Sequence, residues 1–148
     1  MKPSLSFPRW FLPAFAVFSA IGALNLASGS DLWAVLAEFE SGSNDRAIGS
    51  VGEVSRYQIR PELWKKYAPP NANWRHAPDA LAVAKKIMAE RTSRFQDTCH
   101  RPPTDREFYL LWNAPAQIKR PHKIVANRAN RFCSLLSARN SPFLAVAR

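Results

Sequence analysis

Glu40 is the residue of this chain best suited to do chemistry. It opens the run Glu40-Ser41-Gly42-Ser43-Asn44-Asp45, and Gln58 follows eighteen positions on, at the end of Gly52-Glu53-Val54-Ser55-Arg56-Tyr57-Gln58. A single carboxylic acid can break a glycosidic bond if its surroundings keep it protonated, because it then gives a proton to the leaving oxygen. For that role its pKa must rise from roughly 4.3 towards ~6 by burial against apolar neighbours. Trp33, Phe39 and Tyr57 are the candidates for that apolar wall. Glu38 is the rival acid, but two positions of helix turn it to a different side. Asp45 or Glu53 could be the second carboxylate of a hydrolytic route. The plainer reading, which we prefer, has Asp45 capping a turn and Glu53 facing solvent or pairing with Arg56.

The elements that must position these groups can be read from periodicity and punctuation. Leu32, Val35, Leu36 and Phe39 recur at helical spacing behind Asp31, a residue type that caps helices, so Glu40 falls at a helix C-terminus. Residues 41–52 hold Gly42, Gly49, Gly52, Ser43, Ser50 and Asn44 and read as turns. Val54 to Ile59 reads as a short strand or extended segment. Pro61 suits a first helical position before Glu62-Leu63-Trp64-Lys65-Lys66-Tyr67. A longer helix is expected from Pro78 to about Asp97, with Leu81, Ala84, Met88 and Phe95 on one side. Thr104 and Glu107 form a capping box before Phe108, Leu111 and Trp112. Pro115 and Pro121 bracket a loop, and Val125, Ala129, Phe132 and Leu136 mark a last helix.

On these residues the chain resembles a known family. Glu40-Ser41-Gly42 resembles the Glu-Ser-Gly opening of soluble lytic transglycosylase domains, the lysozyme-like enzymes of bacterial cell walls. Gly52 to Gln58 is similar to their Gly-Ala-Met-Gly-Leu-Met-Gln segment, at the same distance from the glutamate. Trp112-Asn113-Ala114-Pro115 looks like a variant of their Tyr-Asn-Ala-Gly motif. Together the three cover about residues 31–136. The resemblance implies a mainly α (α+β) fold: a lysozyme-like helical domain over residues 30–148, with a small β/turn insert near residues 42–60. It implies that Glu40 protonates the oxygen between N-acetylmuramic acid and N-acetylglucosamine. The same carboxylate then acts as base while the muramyl 6-hydroxyl closes a 1,6-anhydro ring, so water is not consumed and one carboxylate suffices. It also makes Ser41, Tyr57, Gln58, Trp112 and Asn113 the expected substrate-binding residues. This chain departs from the pattern in four respects. Trp112 replaces the family tyrosine, leaving Tyr57 or Tyr109 to supply a hydroxyl. Pro115 replaces a glycine. Ser55 stands where a second glycine would be. Arg56 and Tyr57 occupy apolar positions. A lysozyme-type hydrolase and a non-catalytic module binding glycan or an anionic surface are the alternatives on the same scaffold.

The rest of the sequence bounds the setting. A chain of 148 residues is enough for one domain with a modest core, and its net charge of +10 favours polyanionic partners. Lys2 and Arg9 precede an uncharged, largely apolar stretch from Trp10 to Ser30, which reads as a secretory signal peptide over residues 1–29. An uncleaved anchor associating with the membrane is the alternative. The expected location is therefore periplasmic or secreted. Loss of the leader leaves 19 of the 21 basic residues and all 11 acids, so the positive charge belongs to the domain itself. Arg120, Lys123, Arg128 and Arg131 concentrate it late in the chain, as a solvated helix face or a patch for anionic wall polymer. Trp64, Trp74 and Trp112 are candidates for sugar stacking, although at least two are expected in the core. Cys99 and Cys133 could form one disulfide after export or remain free thiols. His76, His100 and His122 lie too far apart in sequence to suggest a metal site, and neither a metal nor another cofactor is expected. The expected partner is the peptidoglycan glycan strand, bound by a monomer. No nucleic-acid motif is present, and no nucleic-acid partner is expected.

Overall fold

The computed structural model describes residues 29–140. The expected leader lies outside these residues except for Gly29, which is already helical. Five α-helices follow in order: α1 (Gly29–Ser41), α2 (Pro61–Tyr67), α3 (Ala77–Cys99), α4 (Asp105–Asn113) and α5 (Lys123–Arg139). The fold is mainly α, and no sheet forms among the described residues. Among them, no helix is long and apolar enough to cross a membrane.

Each helix starts where its local chemistry allows. Pro61 begins α2 and Pro78 sits in the first turn of α3, where a missing N–H leaves no bond unmade. The capping box at α4 is complete. The Thr104 side chain accepts from Glu107 N–H, and the Glu107 carboxylate accepts from Thr104 N–H at 2.9 Å. Arg101 adds a two-pronged pair to the same carboxylate, at 2.8 and 2.7 Å. His100, with φ of 54°, ends α3 in the left-handed conformation.

The helices pack α4 on α5, α5 on α1, and α3 on both α2 and α4. Val35 and Leu36 of α1 are fully buried, with Leu32 and Phe39 packed beside them. On α3 the buried stripe is Ala80, Val83, Ala84, Ile87, Met88 and Phe95. Leu81, expected on that stripe, is only half-buried, because the stripe runs through Val83 and Ile87 instead. Ala129, Phe132 and Leu136 carry α5 into the core as their spacing predicts. Phe108 and Tyr109 stack on Phe132, with ring centroids 6.3 and 4.9 Å away.

The insert between α1 and α2 is turn-rich, as expected, but Val54 to Ile59 is not a strand. It is a tight loop closed by paired backbone bonds, Val54 N–H to Ile59 C=O and the reverse, each 2.8 Å. Isolated antiparallel bridges join Val54 to Ile48 and to Ile59. Ser55 (φ 69°) and Gln58 (φ 51°) adopt left-handed backbone inside the loop, which ends any regular extended run. Ser55 offsets part of that cost by accepting the Tyr57 N–H at 3.2 Å.

The candidate disulfide is not formed. Cys99 is an exposed thiol at the end of α3, while Cys133 is half-buried on α5.

The hydrogen bonds from Arg101, with those from Thr104, hold the Glu107 carboxyl well below its ordinary range, at about 2. A lowered folded pKa stabilises the fold above the unfolded value, and that stabilisation is lost as pH falls through the folded value. Glu107→Gln should therefore cost about 1 kcal/mol near neutral pH, the typical worth of a helix cap. The deficit should vanish as pH falls from about 4 towards 2. Urea denaturation of both proteins across that range checks it, and a pH-independent deficit would count against the capping account.

Candidate active site

α1 buries Val35, Leu36 and Ala37, and Glu40 follows Leu36 by four positions on the same side. Its side chain keeps only 6% exposure. Two groups from distant helices meet the carboxylate. Tyr109 of α4 donates its hydroxyl to Glu40 Oε1 at 3.0 Å. Arg128 of α5 donates from Nη2 to Glu40 Oε2 at 3.2 Å and from Nε to the Tyr109 hydroxyl at 3.0 Å. The three side chains close a ring in which every bond has a defined donor. Phe39 meets the Tyr109 ring edge to face at 5.2 Å, and the Arg128 guanidinium lies 5.4 Å from the Phe39 ring centre.

Burial raises the Glu40 pKa above its ordinary value. The Arg128 charge and the Tyr109 hydrogen bond oppose the rise, and the Glu53 charge adds to it. Loss of hydration wins because the carboxylate is almost fully enclosed, while its cationic partner is 42% exposed and screened by water. Burial also raises the Tyr109 hydroxyl, with the Glu40 charge adding to the effect, so the phenol keeps its proton and remains a donor.

Glu40 opens onto a groove of about 870 Å³ between the insert and the α4–α5 connection. Gln58, Trp112 and Asn113, three of the residues expected to bind substrate, line it. Asn113, the last residue of α4, is exposed, whereas Trp112 is 8% exposed and meets the groove from the core. The segment behind Trp112 is fixed by Arg91 of α3, which donates to the carbonyls of Leu111 and Trp112 at 2.8 and 2.7 Å.

Two of the expected contacts belong elsewhere. Tyr57 is 3% exposed and packs edge-on against Trp33, so it is part of the core rather than a groove residue. Ser41 donates its hydroxyl to the Arg56 carbonyl at 2.9 Å, fastening the insert to the end of α1. The hydroxyl beside Glu40 is that of Tyr109, not Tyr57. Glu53 also differs from the expectation. Arg56 pairs with Asp45 instead, leaving Glu53 turned to the groove, where its Oε2 accepts the Val51 N–H at 3.1 Å. Glu38 is exposed and pairs with Arg139 at 2.9 Å, away from Glu40's partners.

Arg128 is the residue whose role sequence reasoning missed. Its place in the late basic cluster gives no sign of a partner 88 residues earlier. Among the described residues no group of three or more His, Cys, Asp or Glu side chains converges to hold a metal. Comparison with protein-family models, curated proteins and solved structures returns no match for this chain.

Two predictions follow from this geometry. Because the Glu40 pKa is raised, the folded chain binds more protons than the unfolded chain between about pH 4.3 and the folded value. Wild-type stability relative to Glu40→Gln should therefore fall as pH rises through that window and level off above it. A flat difference in urea midpoints would refute the burial of a titrating carboxyl. Separately, a Cβ at Gly49 would lie 2.6 Å from Gln58 Oε1 and closer still to Glu53 Oε2. Both are flexible side-chain ends, so Gly49→Ala should change the melting temperature little while displacing Gln58 and Glu53. Its Gln58 side-chain amide resonances should shift in NMR spectra, and unchanged resonances would show that the contact is not tight.

Proposed function

We propose that this protein cleaves the glycan strands of peptidoglycan as a lytic transglycosylase, with Glu40 as the single acid and base. The observation that carries the reading is a nearly enclosed carboxyl, its pKa raised by burial, opening onto a groove large enough for sugar rings. The sequence resemblance supports it independently. Glu40, Gln58 and Asn113 are motif residues that share this one groove.

The chemistry follows from the surroundings of the carboxyl. In its protonated form Glu40 gives its proton to the bridging oxygen. Positive charge then develops at the anomeric carbon beside the new carboxylate. That carboxylate takes the proton of the muramyl 6-hydroxyl as its oxygen attacks the same carbon, and Glu40 ends protonated again. Tyr109 donates to Oε1 throughout, which leaves Oε2 as the oxygen that handles the proton. Gln58 and Asn113 offer amides to the N-acetyl and hydroxyl groups of the sugars. Export through the N-terminal segment is part of the same proposal.

A hydrolytic route is the second reading, favoured by the presence of Glu53 on the same groove. In that case Glu53 activates water and the product carries a reducing end.

Digestion of purified sacculi followed by mass spectrometry of the muropeptides tests both. Products at the anhydro mass support transglycosylation, and products heavier by one water support hydrolysis. Glu40→Gln should lower the rate roughly a hundred- to ten-thousand-fold, the usual worth of a general acid. Intact sacculi after incubation with folded wild-type protein would overturn both routes.

A further inference from the structure

The bonding around Glu40 is that of an ionised carboxylate. Arginine carries donors only, and Tyr109 already spends its single proton on Oε1. A proton on Oε2 would therefore compete with the Arg128 Nη2–H for that oxygen's lone pairs and forfeit the attraction of the guanidinium charge, which lies 3.2 Å away. The acid form of Glu40 is disfavoured while Arg128 stays on Oε2.

The two partners of Glu40 are unequally free to move. Tyr109 is fully buried, stacked on Phe132 and met edge-on by Phe39. Arg128 is 42% exposed and lines the groove. Its tether is one hydrogen bond to Tyr109 and a face contact with Phe39. A guanidinium at a groove wall matches a carboxylate with two parallel donors, a stronger arrangement than the single bond it makes to Oε2.

We infer that Arg128 is a positioning residue that masks the acid, holding Glu40 Oε2 until a free carboxylate, as on a muramyl residue without its peptide, draws the guanidinium away. The masking follows from the cation bonded to Oε2, which favours the ionised carboxylate. The choice of a carboxylate follows from the cation exposed in the groove, and it rests on reading Glu40 as the acid of a glycan-cleaving site. A sugar acid such as N-acetylmuramic acid would release the acid, whereas neutral N-acetylglucosamine would leave it masked. Once Arg128 has moved, Oε2 takes a proton from water and the site is armed. The charged and titratable groups facing Glu40 are Arg128 from α5, Tyr109 from α4 and Glu53 from the insert. Of these, Arg128 is the one cation, so its departure favours the proton.

The test measures the titration of Glu40 and needs no turnover. Full-length protein carrying carboxyl-13C glutamate is titrated by NMR, with Glu40→Gln identifying the resonance. Saturating N-acetylmuramic acid should raise the wild-type Glu40 midpoint by about one pH unit, the scale of losing a nearby opposite charge. N-acetylglucosamine should leave it in place. Arg128→Gln should raise the midpoint without any sugar, and N-acetylmuramic acid should then add no further rise. Arg128→Lys, which keeps the charge without the fork, should fall between the two. The inference is overturned if both sugars leave the wild-type midpoint alike or if Arg128→Gln does not move it. It is also overturned if the sugar acid shifts the Arg128→Gln variant as far as wild type. Sacculi that are cleaved while the midpoint stays put would sink this inference alone. A midpoint that moves while sacculi stay intact would sink only the cleavage reading.

Discussion

One nearly enclosed carboxylate sets the constraint that the rest of this structure satisfies. Glu40 keeps 6% exposure, and an isolated carboxylate removed from water to that degree carries a large penalty. The fold meets the penalty with one neutral donor and one cationic donor, each on a different helix. Three elements must therefore converge on a single side chain. α1 brings Glu40, α4 brings Tyr109 and α5 brings Arg128, and α5 packs on both of the others. The aromatic core serves the same purpose. Phe132 lies under Tyr109, Phe39 abuts its edge, and Phe108 continues the stack. With its ring held on two sides and its oxygen accepting from Arg128 Nε, Tyr109 directs its hydroxyl to Oε1.

The insert answers a different requirement, that of bringing a second set of polar side chains to the same groove without a sheet to carry them. It does so with short cross-ties. Ser41 fastens the Arg56 carbonyl to the end of α1, and the Asp45–Arg56 pair closes the loop from the other side. Ser55 and Gln58 accept left-handed backbone, which turns the Gln58 side chain back towards Gly49 and Glu53. Gly52, at φ of 86°, allows the preceding turn. The result is a compact loop whose tight backbone positions Gln58 and Glu53, and whose buried member, Tyr57, anchors it against Trp33.

Whatever depends on neighbours in sequence was legible in the sequence. The α1 stripe, Pro61 at the start of α2, the Thr104–Glu107 capping box and the α5 stripe all rest on contacts within one or two helical turns. Glu40 at the end of α1 follows from the same logic, and the motif spacing brought Gln58 and Asn113 to its groove. Contacts over long separations could not be read. Tyr109 lies 69 positions from Glu40 and Arg128 lies 88, and only the packing of α4 and α5 brings them together. Tyr57 was misplaced for a related reason. Alternation in a short polar segment does not say which side faces the core once the backbone turns through two left-handed residues. Glu53 turned to the groove because Asp45, not Glu53, claimed Arg56.

The balance at Glu40 shows how burial and pairing can coexist at one carboxyl. Burial alone would raise the carboxyl's pKa and leave it neutral, with nothing to fix its orientation. A fully buried ion pair would hold it ionised and useless as an acid. Here the partners are divided: the neutral donor is locked in the core, and the cation sits at the solvent boundary, where screening weakens its hold. Desolvation therefore outweighs attraction, and the pKa lies above its ordinary value even though both oxygens carry donors. Orientation comes from the locked tyrosine, while the charge that favours the ionised form comes from the half-exposed Arg128. A carboxyl held this way can be aligned and still change its charge, which is the minimum that acid and base work by one residue demands.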